Sequence, residues 1–117
     1  MQHKALLLAA CLMVLPTPAF AAQVYLDCQM PKEKGSVETV PWTVALNEEA
    51  GTVTWTHPLQ TNTGRAQFTP DHIIFSDGGL IIDRTTLRFK RQMVFRGEVL
   101  GEPDYGQCKV SERKRAI

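Results

Sequence analysis

Few residues in this chain are of types that could do chemistry, and their spacing decides what that chemistry could be. His57 ends an alternating run, Thr52–His57, and His72 directly follows Pro70 and Asp71. Catalysis needs a nucleophile with a base, a metal cage or a pair of carboxylates, and a zinc site needs about four clustered ligands. Two separated histidines with one neighbouring aspartate fall short of each arrangement, and no phosphate-cradling glycine pattern is present. The sequence therefore predicts no catalytic, metal or cofactor site.

The first residues follow the order of an export signal. A basic start with Lys4 precedes an apolar run, Ala5–Leu15, and the small-residue motif Ala19-Phe20-Ala21 follows. This pattern predicts cleavage after Ala21, which gives a signal peptide of residues 1–21 and a single domain of residues 22–117. The apolar run is too short for a permanent membrane span, and no later stretch qualifies. We therefore expect a soluble protein that is periplasmic or secreted.

Cys11 leaves a second interpretation of the export signal open. Leu8-Ala9-Ala10-Cys11 matches the residues that precede a lipidated cysteine in bacterial lipoproteins. The apolar segment ahead of Cys11 is very short and continues beyond it, which favours an ordinary cleaved signal peptide. Lipid anchoring at Cys11 is the alternative.

Removal of the signal leaves two cysteines, Cys28 and Cys108. An even pair in an exported chain predicts a disulfide bond. It would close a loop of roughly 80 residues, which contributes about 4 kcal/mol in the chain-entropy description. Two isolated thiols lack the paired spacing of zinc sites, and no Cys-x-x-Cys motif indicates redox chemistry. We interpret the pair as a structural disulfide.

Charge is balanced overall but unevenly distributed along the chain. Residues 22–83 carry three bases against eight acids, and residues 84–117 carry nine bases against four acids. Such asymmetry can indicate an acidic partner, but strands from the two halves of a sheet protein interleave in space. The basic residues alternate with aromatic ones, as in Arg88-Phe89-Lys90, and strand alternation explains this without nucleic acid. We expect no nucleic-acid partner.

Apolar residues recur at intervals of two in many short segments. Ile73 and Phe75, for example, share one face of a short run. This alternation predicts half-buried antiparallel strands, and no segment shows sustained helical periodicity. About eight short strands at this spacing predict an all-β fold, a small antiparallel β-barrel or sandwich. The disulfide would join its first and last strands, and the charged residues 111–117 would form a frayed tail.

The connections are predicted from glycine, proline and charged residues. A loop is expected over Met30–Val37, a second over Pro58–Gly64, and a tight hairpin turn at Asp77-Gly78-Gly79. The short runs on either side of Lys90-Arg91-Gln92 predict a three-residue hairpin loop there. Gly101–Gly106 reads as a further turn-rich link before the last strand.

The segment from residue 22 onward resembles a loose group of small exported proteobacterial β proteins of unassigned function. The resemblance is carried by Tyr25-x-x-Cys28, by Ala50-Gly51-Thr52-Val53-Thr54, by Phe68-Thr69-Pro70 and by Ile82-Asp83-Arg84. A cysteine near the end completes it. These motifs describe strands and turns, so the resemblance implies a fold and a compartment but no activity.

A second resemblance covers the middle of the chain. Thr63-Gly64-Arg65-Ala66-Gln67-Phe68 and Phe75-Ser76-Asp77-Gly78 are similar in order and chemistry to the inhibitory loops of bacterial c-type lysozyme inhibitors. Those proteins are small disulfide-bonded β-barrels with Ser-Gly-x-x-Tyr and aromatic-x-Lys-Gly motifs. Asp77 stands where that family has lysine, and a lysozyme cleft works through carboxylates.

Together these patterns predict a non-catalytic exported β protein of the cell envelope that has no assignable activity and could serve as a binding module. Its partner would be an unknown protein or envelope component. The alternative is an inhibitor of c-type lysozyme that binds through loops 61–68 and 75–79. In either case Thr63, Gly64, Arg65 and Asp77 are the candidate contact residues.

Overall fold

The computed structural model describes residues 23–112, which form an all-β fold. Its strands are β1 (Val24–Pro31), β2 (Thr39–Asn47), β3 (Thr52–His57), β4 (Gln60–Phe68), β5 (His72–Phe75), β6 (Leu80–Asp83), β7 (Arg88–Phe95) and β8 (Glu98–Val110). No helix in this part of the chain is long and apolar enough to cross a membrane. The predicted signal peptide, its cleavage after Ala21, the lipid-anchor alternative at Cys11 and the tail beyond Glu112 lie outside the described residues.

The strands form a closed antiparallel barrel, and β8 returns to pair with β1. At this seam residues 26–29 pair with residues 107–110, and Cys28 lies directly opposite Cys108. The predicted disulfide between them is present and links residues 80 positions apart. Of the two predicted architectures, the barrel is confirmed.

The interior is apolar because alternate residues of nearly every strand point inward. The buried set is Leu26, Cys28, Met30, Trp42, Val44, Leu46, Val53, Trp55, Ile73, Phe75, Leu80, Ile82, Phe89 and Cys108. No polar or charged residue among the described ones is buried with them. The core is thus built from the predicted alternating apolar positions of most strands, but Met93 and Phe95, which the alternation also placed on an inward face, are exposed.

Aromatic rings fill the centre of the barrel. Val44 lies opposite Trp55 across the β2–β3 hairpin. The Trp42 ring is 4.8 Å from the ring of His57, centroid to centroid, and 5.5 Å from that of Phe89. His57 therefore serves as a packing partner of Trp42.

The loop predicted over Pro58–Gly64 is wrong for most of its length. Residues Pro58 and Leu59 turn the chain after His57, and strand β4 begins at Gln60. Residues 60–65 of β4 pair with β3. Threonine hydroxyls hold the two strands together on the outer face, with Thr54 and Thr63 Oγ1 atoms 2.9 Å apart. The polar residues that suggested a loop form a cross-strand hydrogen-bonded pair instead.

The hairpin loop predicted at Lys90-Arg91-Gln92 is also wrong. Strand β7 runs unbroken through these residues, and the hairpin turns at Arg96 and Gly97. Both have positive φ, 53° and 82°, as a two-residue hairpin turn requires. A loop at residues 90–92 would have placed Leu87 opposite Phe95. In the structure Leu87 ends the β6–β7 turn and Phe95 ends β7.

The turn-rich link predicted at Gly101–Gly106 is a bulge inside β8. Between two paired positions β7 advances by two residues, Arg91 to Met93, while β8 advances by four, Leu100 to Asp104. Gly101 has a positive φ of 75°. Glycine and proline here mark an interruption of the ladder rather than its end.

The first predicted loop starts two residues too early. Met30 is fully buried and pairs with Val40, so β1 extends to Pro31. The tight turn predicted at Asp77-Gly78-Gly79 is confirmed, since residues 76–79 join β5 to β6.

Gly106 allows β8 to approach β1 closely. A Cβ atom at this position would overlap both the Met30 sulfur and the backbone carbonyl oxygen of Gln29. Gly64 on β4 differs, because a Cβ there would meet the Trp55 ring at 3.7 Å, an ordinary contact distance. The two glycines thus have different roles in strands of the same barrel.

We predict that Gly106→Ala lowers the free energy of unfolding by about 1–3 kcal/mol, because β8 must move away from β1 to admit the methyl group. Gly64→Ala is the matched control and should raise stability by about 0.5–1 kcal/mol, since alanine loses less entropy in a strand. Urea unfolding of both variants measures this. Equal effects of the two substitutions would contradict the close approach at Gly106.

Candidate functional site

The candidate contact residues from the sequence lie on two adjacent elements. Thr63, Gly64 and Arg65 are on β4, and Asp77 is in the turn formed by residues 76–79. Ala66 pairs with Phe75, so the register places Arg65 beside the start of that turn. Segment 61–68 was expected to be a loop and is a strand, because its threonines complete the β3–β4 ladder.

The turn that contains Asp77 has an unusual backbone. Ser76, Asp77 and Gly78 have φ values of 55°, 52° and 89°, all in the left-handed region. The side chain of Gln92 donates a hydrogen bond to the Gly78 carbonyl at 3.0 Å, and its backbone N–H donates to the Gly79 carbonyl at 2.9 Å. Asp77 is exposed and makes no ion pair among the described residues. The turn is therefore a braced, negatively charged tip next to β7.

Groups typical of metal or catalytic sites are dispersed across the barrel. Within residues 23–112 no cluster of three or more histidine, cysteine, aspartate or glutamate side chains could hold a metal ion. His72 lies opposite Asp83 on the outer face, and His57, at the end of β3, packs on Trp42. The Asp83 carboxylate is therefore the titratable group near His72, and the Trp42 ring is the neighbour of His57.

An apolar mouth opens at the end of the barrel where the β2–β3, β4–β5 and β6–β7 turns meet. Its cavity is about 340 Å³ and is lined by Val24, Leu26, Leu46, Glu48, Glu49, Phe68, Ile73, Arg84, Leu87 and Val110. Arg84 spans it, with its guanidinium 2.8 Å from a Glu48 carboxylate oxygen. It also donates to the Thr69 carbonyl at 2.9 Å. Arg84 thereby ties three turns together and covers the mouth.

The same arrangement shifts both partners of the ion pair. The hydrogen bond between Arg84 and Glu48 lowers the pKa of the Glu48 carboxyl and raises the pKa of the Arg84 guanidinium. Glu48 is exposed and Arg84 is half-buried, so solvent partly screens the pair. We interpret the Arg84–Glu48 pair at this mouth as a structural contact that holds the turns together.

Asp83 organises the turn that leads from β6 to β7. Its Oδ1 atom accepts hydrogen bonds from the backbone N–H groups of Thr85 and Thr86 at 2.8 and 2.9 Å. The Thr86 and Thr85 hydrogen bonds lower the pKa of the Asp83 carboxyl below its ordinary value of 3.8. The turn ends at Leu87, whose φ of 62° directs its carbonyl to the N–H of Cys108 at 2.9 Å.

We predict that Asp83→Asn destabilises the barrel at neutral pH and that the difference from the native protein shrinks in acid. Because the folded-state pKa is lowered, the carboxylate's contribution is complete above its unfolded-state pKa and is lost as pH falls through the folded-state value. Urea unfolding of both proteins from neutral pH to about pH 2 measures this. A difference that stays constant across this range would show that Asp83 acts only through its shape.

A shallow groove of about 400 Å³ lies on the outer face of β5 to β8. It is lined by His72, Ile74, Ile81, Asp83, Arg88, Lys90 and Tyr105. Arg88 and Lys90 are the two basic side chains of the groove. The Arg88 guanidinium carbon lies 4.0 Å from the Tyr105 ring centroid, so this cation is already engaged. Within residues 23–112 no buried side-chain nitrogen or oxygen lacks a hydrogen-bond partner, so no polar group is aimed unsatisfied into this groove.

A long hairpin formed by residues 91–104, here called the arm, carries the most exposed apolar surface of the described chain. Its exposed fractions are 65% for Met93, 59% for Phe95, 52% for Val99 and 43% for Leu100. Met93 pairs with Leu100, which puts Met93, Phe95 and Leu100 on one face. Soluble proteins seldom expose large apolar side chains in one contiguous patch without a partner.

The base of the arm is fixed to the barrel. Arg91 forms a 2.6 Å ion pair with Asp104, whose side chain is only 9% exposed. The same guanidinium donates a hydrogen bond to the Pro31 carbonyl at 3.1 Å, at the end of β1. The ion pair joins the two arm strands at their base, and the hydrogen bond to β1 holds them in place.

The arm has an unpaired edge along β7. Strand β6 pairs with β7 only as far as Arg91, opposite Leu80, and Gln92 reaches the turn at Gly79. Beyond this point no described strand lies beside residues 93–95 on the side away from β8. A row of backbone N–H and C=O groups at such an edge is a template for another polypeptide strand.

Sequence reasoning missed the arm as a surface. The usable signal was Gly97, which follows alternating apolar residues from Met93 and precedes Val99. An Arg-Gly turn is a weaker hairpin signal than Asn-Gly or Asp-Gly, so the turn was placed earlier.

Comparisons of this chain with protein-family models, with curated proteins and with solved structures gave no match. The site therefore has to be interpreted from its own geometry.

Proposed function

We propose that this protein is a non-catalytic binding module of the cell envelope that docks onto a polypeptide through the arm. One observation carries the proposal: Met93, Phe95 and Leu100 stand exposed on one face of a hairpin whose β7 edge is unpaired. The compartment is periplasmic or extracellular, with the signal peptide removed after Ala21. The disulfide between Cys28 and Cys108 supports it, because such bonds persist in oxidising environments.

A polypeptide is the ligand whose chemistry matches both features of the arm. Backbone groups at a strand edge are recognised by another backbone, and flanking apolar side chains add affinity and specificity. Nucleic acid would call for a basic surface, yet Arg91 is engaged with Asp104 and Glu98 and Glu102 are acidic. A small molecule would call for a concave pocket that buries most of it. The arm borders a cavity of about 490 Å³ at its base, but the exposed Phe95 and Val99 do not line that cavity.

We predict that a photo-reactive amino acid at Phe95 gives protein adducts in intact cells, whereas the same group at Thr61 on the opposite wall gives none. Adding Met93→Ser and Leu100→Ser should abolish the adduct, because these residues share the face of Phe95. Mass spectrometry of the adduct identifies the cross-linked segment, which should be a polypeptide in an extended stretch. Identical adducts at both positions, or none at Phe95, would contradict the arm as the binding element.

Inhibition of c-type lysozyme is the second candidate function. The observation in its favour is the register of β4 with β5, which brings Arg65 next to the turn that contains Asp77. Arg65 is the basic group available to meet the carboxylates of a lysozyme cleft. Asp77 opposes this, because a like-charge contact in an interface commonly costs several kcal/mol.

We predict that the native protein does not inhibit c-type lysozyme in a peptidoglycan lysis assay, and that Asp77→Lys moves it towards inhibition. Asp77→Asn is the matched control, since asparagine tolerates the positive φ of this position and removes only the charge. Clear inhibition by the native protein would make this candidate the leading one. No inhibition by any of the three proteins would leave the arm as the sole binding element.

A further inference from the structure

We propose that the polypeptide bound at the β7 edge of the arm is a second copy of this chain, and that two arms join into one four-stranded antiparallel sheet. This inference rests on the proposed function, because it names the partner of the same surface. The contact would be isologous, with the same residues contributed by both copies and a two-fold axis at Val94.

Of the two edges of the arm, the β7 edge is the one suited to strand addition. The β8 edge is interrupted by the bulge, where Pro103 has no N–H and Gly101 has a left-handed backbone with the Lys34 amine next to it. Residues 93–95 contain no proline, no charge and no bulge. Natural edges are usually protected by one of these devices, and this edge lacks them.

The ladder register fixes which backbone groups are free. Phe95 and Glu98 flank the two-residue turn and form a hydrogen-bonded pair, so Val94 and Val99 form the next, non-hydrogen-bonded pair. The N–H and C=O groups of Val94 therefore point away from β8. Gln92 on the same edge already donates to Gly79. Val94 is thus the centre of the free edge, and pairing it with its own copy satisfies both residues at once.

A two-fold axis at Val94 also matches side chains and charges. Antiparallel pairing places Met93 opposite Phe95 of the second copy and Arg96 of the second copy opposite Gln92. Gln92 contacts the turn that contains Asp77, so the arrangement brings Arg96 of one copy to the acidic tip of the other. Among the described residues Asp77 has no ion-pair partner, and the Arg96 guanidinium rests 5.2 Å from its own Phe95 ring. The symmetry creates this charge contact twice.

Pairing with a second copy also stabilises the arm itself. A two-stranded ribbon is marginally stable in water by itself, whereas three or more strands with an apolar face are stable. Two arms side by side make four strands and bring Met93, Phe95 and Leu100 of both copies onto one sheet. Because the strands run in opposite directions, the barrels lie at opposite ends of this sheet.

The test is the mass in solution of the chain from Ala22 onward, with its disulfide intact, measured by light scattering and sedimentation over a wide concentration range. We expect a reversible dimer for the native protein. Val94→Pro should raise the dimer dissociation constant by at least about tenfold, because it removes the central N–H of the edge. Val99→Pro is the matched control on the opposite edge and should leave the dissociation constant unchanged. Circular dichroism and thiol titration show whether each variant keeps its fold and disulfide.

Charge exchange gives an independent check. Arg96→Glu and Asp77→Lys should each weaken the dimer, and the double variant should recover most of its affinity. A native protein that stays monomeric, or a dimer equally sensitive to Val94→Pro and Val99→Pro, would overturn the inference.

The cross-linking experiment at Phe95 separates this failure from failure of the proposed function. Adducts with a different protein only would refute the self-pairing and retain the binding function, and the absence of any adduct would refute both.

Discussion

Closure of the barrel between its first and last strands is the constraint on which the rest of the structure depends. Strands β1 and β8 come from opposite ends of the described chain, so bringing them together costs more loop-closure entropy than any hairpin. The Cys28–Cys108 disulfide offsets part of that cost by restricting the unfolded chain. Gly106 lets the two backbones approach, and the hydrogen bond from Arg91 to Pro31 fastens the next stretch. The seam therefore positions the base of the arm as well as closing the core.

The barrel and the arm follow opposite physical rules. In the barrel every strand has two neighbours, and the apolar residues face a filled interior such as that around Phe89. In the arm the ladder has only one partner strand, and Met93 and Phe95 face water. The short β5–β6 hairpin produces this difference, since it stops beside Gln92 and leaves the taller β7 without a neighbour. The exposed apolar surface of the arm therefore results from the unequal lengths of the β5–β6 and β7–β8 hairpins.

Residue alternation predicted most of the core, because inward positions on a pleated strand must be apolar whatever the topology. It also assigned Met93 and Phe95, which are exposed, to an inward face. The contact between the first and last strands was predicted from the cysteine pair, because a disulfide between them requires the two strands to lie close together. The predicted strand boundaries were wrong where a residue type is common both in loops and in strands. Threonines such as Thr63 are polar enough to suggest a loop and pair well enough to build a strand, while Gly101 marked a bulge. The exposed face of the arm was not predicted, because it depends on where the hairpin turns. With the turn at Gly97 Phe95 is exposed, whereas an earlier turn would place it on the buried face.

The single long strand β8 has a mechanical consequence. It begins at the tip of the arm and continues without a break in the chain to Cys108, where a covalent bond passes into β1. When the chain is held at the start of β1 and pulled at the tip, the covalent path between the two points runs along β8 and across the sulfur–sulfur link, so it bypasses strands β2 to β7. A tether attached at the arm would pull on the most strongly joined part of the molecule.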